Sequence, residues 1–149
     1  MSIYLRNEVK ASGVNARRLK QDARKLLGAV GEESSTLSIS LVDDREIAIL
    51  NRDHRGKDKP TDVLSFPLDP SEEAPERLLG DIVISVDTAK RQAAEYDALL
   101  QNEVNRLLIH GILHVLGYDH EEPAQRQTME AEERRLAGVI GMPWPYDHA

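Results

Sequence analysis

Along this chain the apolar positions switch between a period of two and a period of three to four. Ile3 and Leu5 share one face of an opening strand over 2–8. Leu19, Ala23, Leu26 and Leu27 recur at helical spacing and predict a helix over 15–28, with Asn15 as its N-cap and Gly28 near its end. After a polar loop over 32–35, "TLSISLV" (36–42) alternates at period two and predicts a strand. Asp43 or Asp44 then caps a short helix through Ile47, Ile49 and Leu50. "RGKDKPTD" (55–62) reads as a charged loop, and "VLSFPL" (63–68) as a strand that Pro67 assigns to an edge or an end. "DPSEEAPE" (69–76) is an acidic, proline-bearing surface loop, expected to be mobile. "GDIVISV" (80–86) is β-branched and predicts another strand, after which Asp87 is placed to cap a helix over 88–97. Val104, Leu107, Leu108, Ile112, Val115 and Leu116 predict a long buried helix over about 100–116. A last helix starts near Pro123 and runs to about 137, followed by the proline-punctuated tail "GMPWPYDHA". Strands and helices interleave without an internal repeat. The expected fold is α+β, with a mixed sheet of about four strands packed against about five helices.

The length of 149 residues fits a single domain spanning 1–149, large enough to bury a core without staples. With no cysteine, disulfides and thiolate metal sites are excluded. The N-terminal "MSIYLRNEVKASG" has no apolar leader segment, and no stretch approaches the roughly 18 apolar residues of a membrane span. A cytoplasmic protein with no membrane partner is the expectation. The net charge of −7 argues against a general nucleic-acid coat. It is unevenly spread: residues 1–60 carry 12 Lys/Arg against 9 Asp/Glu, whereas 61–149 carry 7 against 17. An anionic substrate is expected to meet the first segment.

Three of the five histidines fall in "HGILHVLGYDH" (110–120). His110 and His114 are four apart, so on a helix their imidazoles project side by side, within reach of one ion. Gly117 is suited to end that helix, and His120 returns as a third ligand. Paired histidines alone are more often packing or surface residues, but an apolar helix does not readily bury two unpartnered imidazoles. Three ligands with an open fourth position describe a catalytic rather than a structural zinc site. The spacing H-x3-H-x5-H is that of the metzincin proteases, which place a glutamate after the first histidine as general base. Here that position is Gly111, so peptide hydrolysis by that route is not expected. The helix is zincin-like, turned to another electrophile.

The segment 51–67, "NRDHRGKDKPTDVLSFP", sets Arg52, Arg55, Lys57 and Lys59 within eight positions. Arginine beside a metal suits phosphodiester hydrolysis, because its fork matches phosphate oxygens and offsets developing charge. A solvated charged turn is the plainer reading of the loop taken alone.

Taken together, "LNRDHRGKDKPTDVLSFP" (50–67), "LGDIVIS" (79–85) and "HGILHVLGYDH" (110–120) resemble, in order and spacing, the signature segments of the YbeY family. The resemblance spans essentially the whole chain. It implies a metal-dependent endoribonuclease directed at single-stranded RNA, with one zinc-like ion per chain. It also implies roles in maturing the 3′ end of 16S ribosomal RNA and in ribosome quality control, with the small ribosomal subunit or assembly proteins as partners. The metal ligands it implies are His110, His114 and His120, and the functional arginine is Arg55; the charged segment itself adds Lys57 as a candidate substrate contact. The residue before that arginine, usually aromatic in such sequences, is His54 here, expected as a loop residue rather than a fourth ligand. Two rivals stay open: a metallohydrolase of another substrate class, and a non-enzymatic ribosome assembly factor with a structural metal.

Asp62 and Asp81 sit at strand entrances, where each can orient a ligand imidazole or cap a turn. Asp119 is the nearest sequence candidate for a general base, Tyr118 is expected to pack, and His148 belongs to the tail. With one Phe and one Trp, no aromatic stacking platform is evident, so RNA binding falls to the 52–59 segment, helped by Arg17, Arg18, Arg24 and Lys25.

Overall fold

Four strands pair in the order β1-β2-β4-β3: β1 (Ser2–Asn7), β2 (Thr36–Val42) and β4 (Leu78–Ser85) run parallel, and β3 (Val63–Pro67) runs antiparallel along β4 at one edge. The computed structural model describes residues 2–68 and 78–146, so the acidic 69–76 segment and His148 lie outside the described residues. Among the described residues five helices complete it: α1 (Ala16–Ala29), α2 (Asp44–Arg55), α3 (Val86–Glu95), α4 (Leu100–Val115) and α5 (Pro123–Val139). This is the mixed-sheet α+β architecture that the hydrophobic periods predict.

Both faces of the sheet are covered, so β2 and β4 are buried along almost their whole length, as parallel strands usually are. On one face, Ile39, Leu41, Ile82 and Ile84 share one core cluster with buried residues of α1, α4 and α5. Leu107, Leu108, Ile109 and Ile112 of α4 are fully buried there. Each such side chain stabilises the fold by about 1.5–3 kcal/mol through burial. The other face has a smaller cluster, Val42, Leu64 and Val83, covered by Ile47 of α2 with Leu50 and Phe66 beside it. The helix α4 approaches the sheet closely at two glycines. A Cβ on Gly111 would stand 2.9 Å from Ile82 Cγ2, and one on Gly80 would stand 3.1 Å from both Cγ atoms of Val115.

Local signals set most boundaries. Asn15 and Asp43 cap α1 and α2 through bonds to the N–H of Arg18 and Glu46. Asp87 does not cap α3. Val86 already turns helical, so Ser85 takes the cap by accepting from the Thr88 N–H, and Asp87 instead accepts from the Asp44 N–H at 2.9 Å. Asp44 returns the tie, its carboxylate accepting from Ser85 Oγ and Thr88 Oγ1 at 2.7 Å and pairing with Arg91. Burial works against its charge, but those bonds prevail and hold its carboxyl below the usual range.

The tail is fastened by a buried polar set. Tyr146 Oη donates to Glu103 Oε2 at 2.6 Å, and Glu103, fully buried, also pairs with Arg106. The Arg106 guanidinium carbon stands 4.6 Å from the centroid of the Tyr146 ring. Burial first, then the bond to Glu103, pushes the Tyr146 phenol well above its ordinary range.

Candidate metal centre

His110 and His114 project from the last turns of α4, with their Nε2 atoms 3.0 Å apart. The helix then ends in a Schellman turn. Gly117 adopts φ +99°, its N–H donating to the His114 carbonyl at 3.0 Å and the Tyr118 N–H donating to the Leu113 carbonyl at 2.9 Å. That reversal brings the His120 ring back to 5.7 Å and 5.2 Å from the His110 and His114 rings, centroid to centroid. One nitrogen from each of the three lies within 4.8 Å of the others. A tetrahedral ion bound at about 2.0–2.1 Å by imidazoles wants its ligand nitrogens roughly 3.3 Å apart, so small side-chain rotations suffice. Among the described residues, the candidate ligand group at this site consists of these three. The donor set fits a transition ion with a coordination position to spare.

Burial first, and then the neighbouring His110 and His120, hold the His114 imidazole below its ordinary range. The neutral ring is the form that ligates. The sign for stability follows. The unfolded chain binds a proton near pH 6.5 while folded His114 does not, so stability is present above that pH and is lost as pH falls through the lower folded value. In chelator, the thermal midpoint is expected to drop on acidification from about pH 7 to 5, and more for wild type than for His114→Gln. Equal slopes in a melt series would contradict this.

The carboxylate nearest the back of the site is one the sequence reading missed. Glu133 of α5, with a side chain 10% exposed, places Oε2 3.6 Å from His110 Nδ1. It faces the ring nitrogen left over when Nε2 ligates, which is where a partner fixes ring orientation and tautomer. The signal was available: Glu133 interrupts the buried stripe Met129, Leu136 and Ala137 of α5. The two aspartates that the sequence offers for that role are engaged differently. Asp62 accepts from the Val63 N–H at 2.8 Å and from Gln92 Nε2 at 3.3 Å, so it secures the entrance to β3. Asp81 alternates with Ile82, whose side chain meets α4, and therefore faces the other side of the sheet. Asp119 accepts from the His120 N–H at 2.7 Å and lines a separate dimple with Tyr118.

The three imidazoles open into a cleft of about 590 Å³ that also includes His54, Arg55, Asp62 and Phe66 in its walls, with β3 along one side. Arg55 and His54 are not on a loop, as the charged run suggested. They form the last turn of α2, which stops only at Gly56 with φ +70°. His54 leans on Phe66, ring centroids 4.9 Å apart, and stands outside the ligand group. Lys57 falls in the turn beyond, outside the cleft walls. That turn is pinned by buried Asn51, whose Nδ2 donates to the Lys59 carbonyl at 2.9 Å. The basic residues of α1 do not line the cleft.

Comparison with known proteins agrees with this geometry. The sequence profile described as Endoribonuclease YbeY matches residues 4–141. An Endoribonuclease YbeY of Anaeromyxobacter sp. (strain Fw109-5) is 48% identical over 145 residues, covering 95% of this chain and 74% of that one. One from Halorhodospira halophila is 43% identical over 141 residues, covering 91% and 90%. A Thermotoga maritima protein solved in solution superposes with a TM-score of 0.64 at 31% identity, covering 93% of this chain and 88% of its own. Sheet, histidine helix and sequence profile thus agree, and the chain belongs to the YbeY endoribonuclease family.

Proposed function

We propose that the protein is a metal-dependent endoribonuclease that cuts single-stranded RNA. In this reading, His110, His114 and His120 hold one zinc-like ion, and Arg55 contacts the phosphate. The observation that carries it is the shared cleft: three converging imidazoles and one guanidinium open into the same space. Held by these imidazoles, such an ion would supply Lewis acidity, enough to make water nucleophilic near neutral pH and to offset charge on a phosphate oxygen. The other tasks belong to the chain. Glu133 holds the His110 ring so that Nε2 faces the cleft. Arg55 offers two N–H groups to the phosphate oxygens and offsets the charge that builds on them. His54, tilted on Phe66, offers a flat surface to a base beside that phosphate. Lys57 adds long-range attraction from the turn next to Arg55.

The family membership supports ribosomal RNA maturation as the setting, with the 16S 3′ end as substrate, the small subunit or assembly proteins as partners, and the cytoplasm as location. Among the described residues no helix is long and apolar enough to cross a membrane. A peptidase is disfavoured, because the position of the protease glutamate is Gly111, pressed against Ile82.

The test pairs elemental analysis with cleavage of single- and double-stranded RNA. About one equivalent of a transition metal and preference for the single strand are expected, and a metal-free protein of equal activity would refute the reading. Arg55→Ala is expected to lower kcat about 100-fold with the metal retained. Arg55→Ala and Lys57→Ala should each flatten the salt dependence of RNA binding, by about 0.7 in log–log slope for each phosphate no longer neutralised. An unchanged slope removes the phosphate role from that residue.

A further inference from the structure

A second hollow also reaches His110. It measures about 290 Å³ and is walled by Tyr96 at the end of α3, Trp144 and Tyr146 of the tail, Arg106 and Glu133 inside, and Glu130 at the rim. His110 belongs to the walls of both this pocket and the metal cleft. We propose that the pocket is a nucleobase subsite that takes one unpaired base of the RNA strand held in the cleft, an inference that rests on the endoribonuclease reading.

The tail residues enter neither the metal site nor the catalytic role of Arg55, yet they build the stacking surface that composition did not reveal. Tyr96 and Trp144 both lean edge-on against Tyr146, at 4.8 Å and 5.0 Å between ring centroids. Tyr146 is itself fixed by Glu103 and Arg106, so the aromatic group is set before any ligand arrives. A volume near 290 Å³ lies at the small end of pockets that hold organic ligands, about 300–1,000 Å³, and suits one base rather than a folded element. Charge decides which part of a nucleotide enters. Arg106 is paired with Glu103, so the carboxylates of Glu130 and Glu133 stand against one further guanidinium in the lining, Arg134. Carboxylates repel a phosphate and accept hydrogen bonds from the amino groups of adenine, cytosine or guanine. The base therefore enters, and the backbone stays on the Arg55 side.

Trp144 is the chain's sole tryptophan, so its emission reports the pocket directly. Metal-loaded protein is titrated with single-stranded oligoadenylate while cleavage is followed in parallel. Saturable quenching is expected, with a midpoint near the KM. Tyr96→Ala should raise KM about 5- to 10-fold at unchanged kcat, as loss of one stacked base does. Glu130→Ala, at an exposed position that leaves the fold alone, should reduce the preference for oligoadenylate over oligouridylate about fivefold. Cleavage with unaltered emission and unaltered KM in both variants overturns the subsite and leaves the nuclease reading standing. Quenching without cleavage keeps the subsite and removes the nuclease. Neither quenching nor cleavage overturns both.

Discussion

Replacing His114 by alanine is expected to give a folded protein that retains no stoichiometric ion and cuts no single-stranded RNA above background. His114 sits at the centre of the ligand set: its Nε2 is 3.0 Å from that of His110, and its ring is 5.2 Å from that of His120. Without it, two imidazoles separated by a helix end remain, one of them on the connector beyond Gly117. Loss of an outer partner alone commonly weakens a metal site 10- to 100-fold, so loss of a central ligand is expected to exceed that by at least about another order. The side chain is only half-buried and lies outside the apolar core, so truncation leaves α4 seated. Elemental analysis should fall from about one equivalent to trace, and the variant should melt like chelator-treated wild type. Wild-type rates of RNA cleavage by the metal-free variant would end the proposal and point to a contaminating nuclease.

Installing the protease glutamate, Gly111→Glu, is expected to unseat the helix rather than create a peptidase. At that position even a Cβ meets three carbons of Ile82 between 2.9 and 3.3 Å, and Ile82 is itself fully buried in the sheet. Overpacking of this kind typically costs about 1–3 kcal/mol, and a carboxylate carried into the apolar interface adds more. A total of about 3 kcal/mol or more corresponds to a fall in Tm of about 6–12 °C at this chain size. Gly111→Ala isolates the steric part and should lose about half as much. A glutamate variant that melts within about 2 °C of wild type, or that gains peptide hydrolysis, would mean that α4 stands off the strand and that Gly111 is not constrained.

What could be foreseen from the residues was local. The apolar stripe of α4, the histidine pair one helical turn apart and the reversal at Gly117 all lie within neighbouring turns, and each acts through its own backbone geometry. Arg55 reads as a loop residue because four basic residues and a proline look like one charged run. Helix formation tolerates arginine and histidine well, and the stop signal is Gly56, one position later. The start of α3 shows the reverse error: Val86 continues a β-branched run, but Ser85 offers a better cap than Asp87, which α2 engages. Glu133 and the aromatic group of Tyr96, Trp144 and Tyr146 are products of tertiary packing. Their partners are distant in sequence: the stripe of α5 marks Glu133 as buried, but no periodicity says what it meets.

The reversal after α4 divides the ligand set into unequal parts. Two imidazoles are fixed to one another by a rigid rod, whereas the third belongs to the short connector between Gly117 and Pro123. The grip on an ion would therefore depend on the connector as well as on the helix. Stiffening the connector is expected to slow release of the ion without touching a single donor atom.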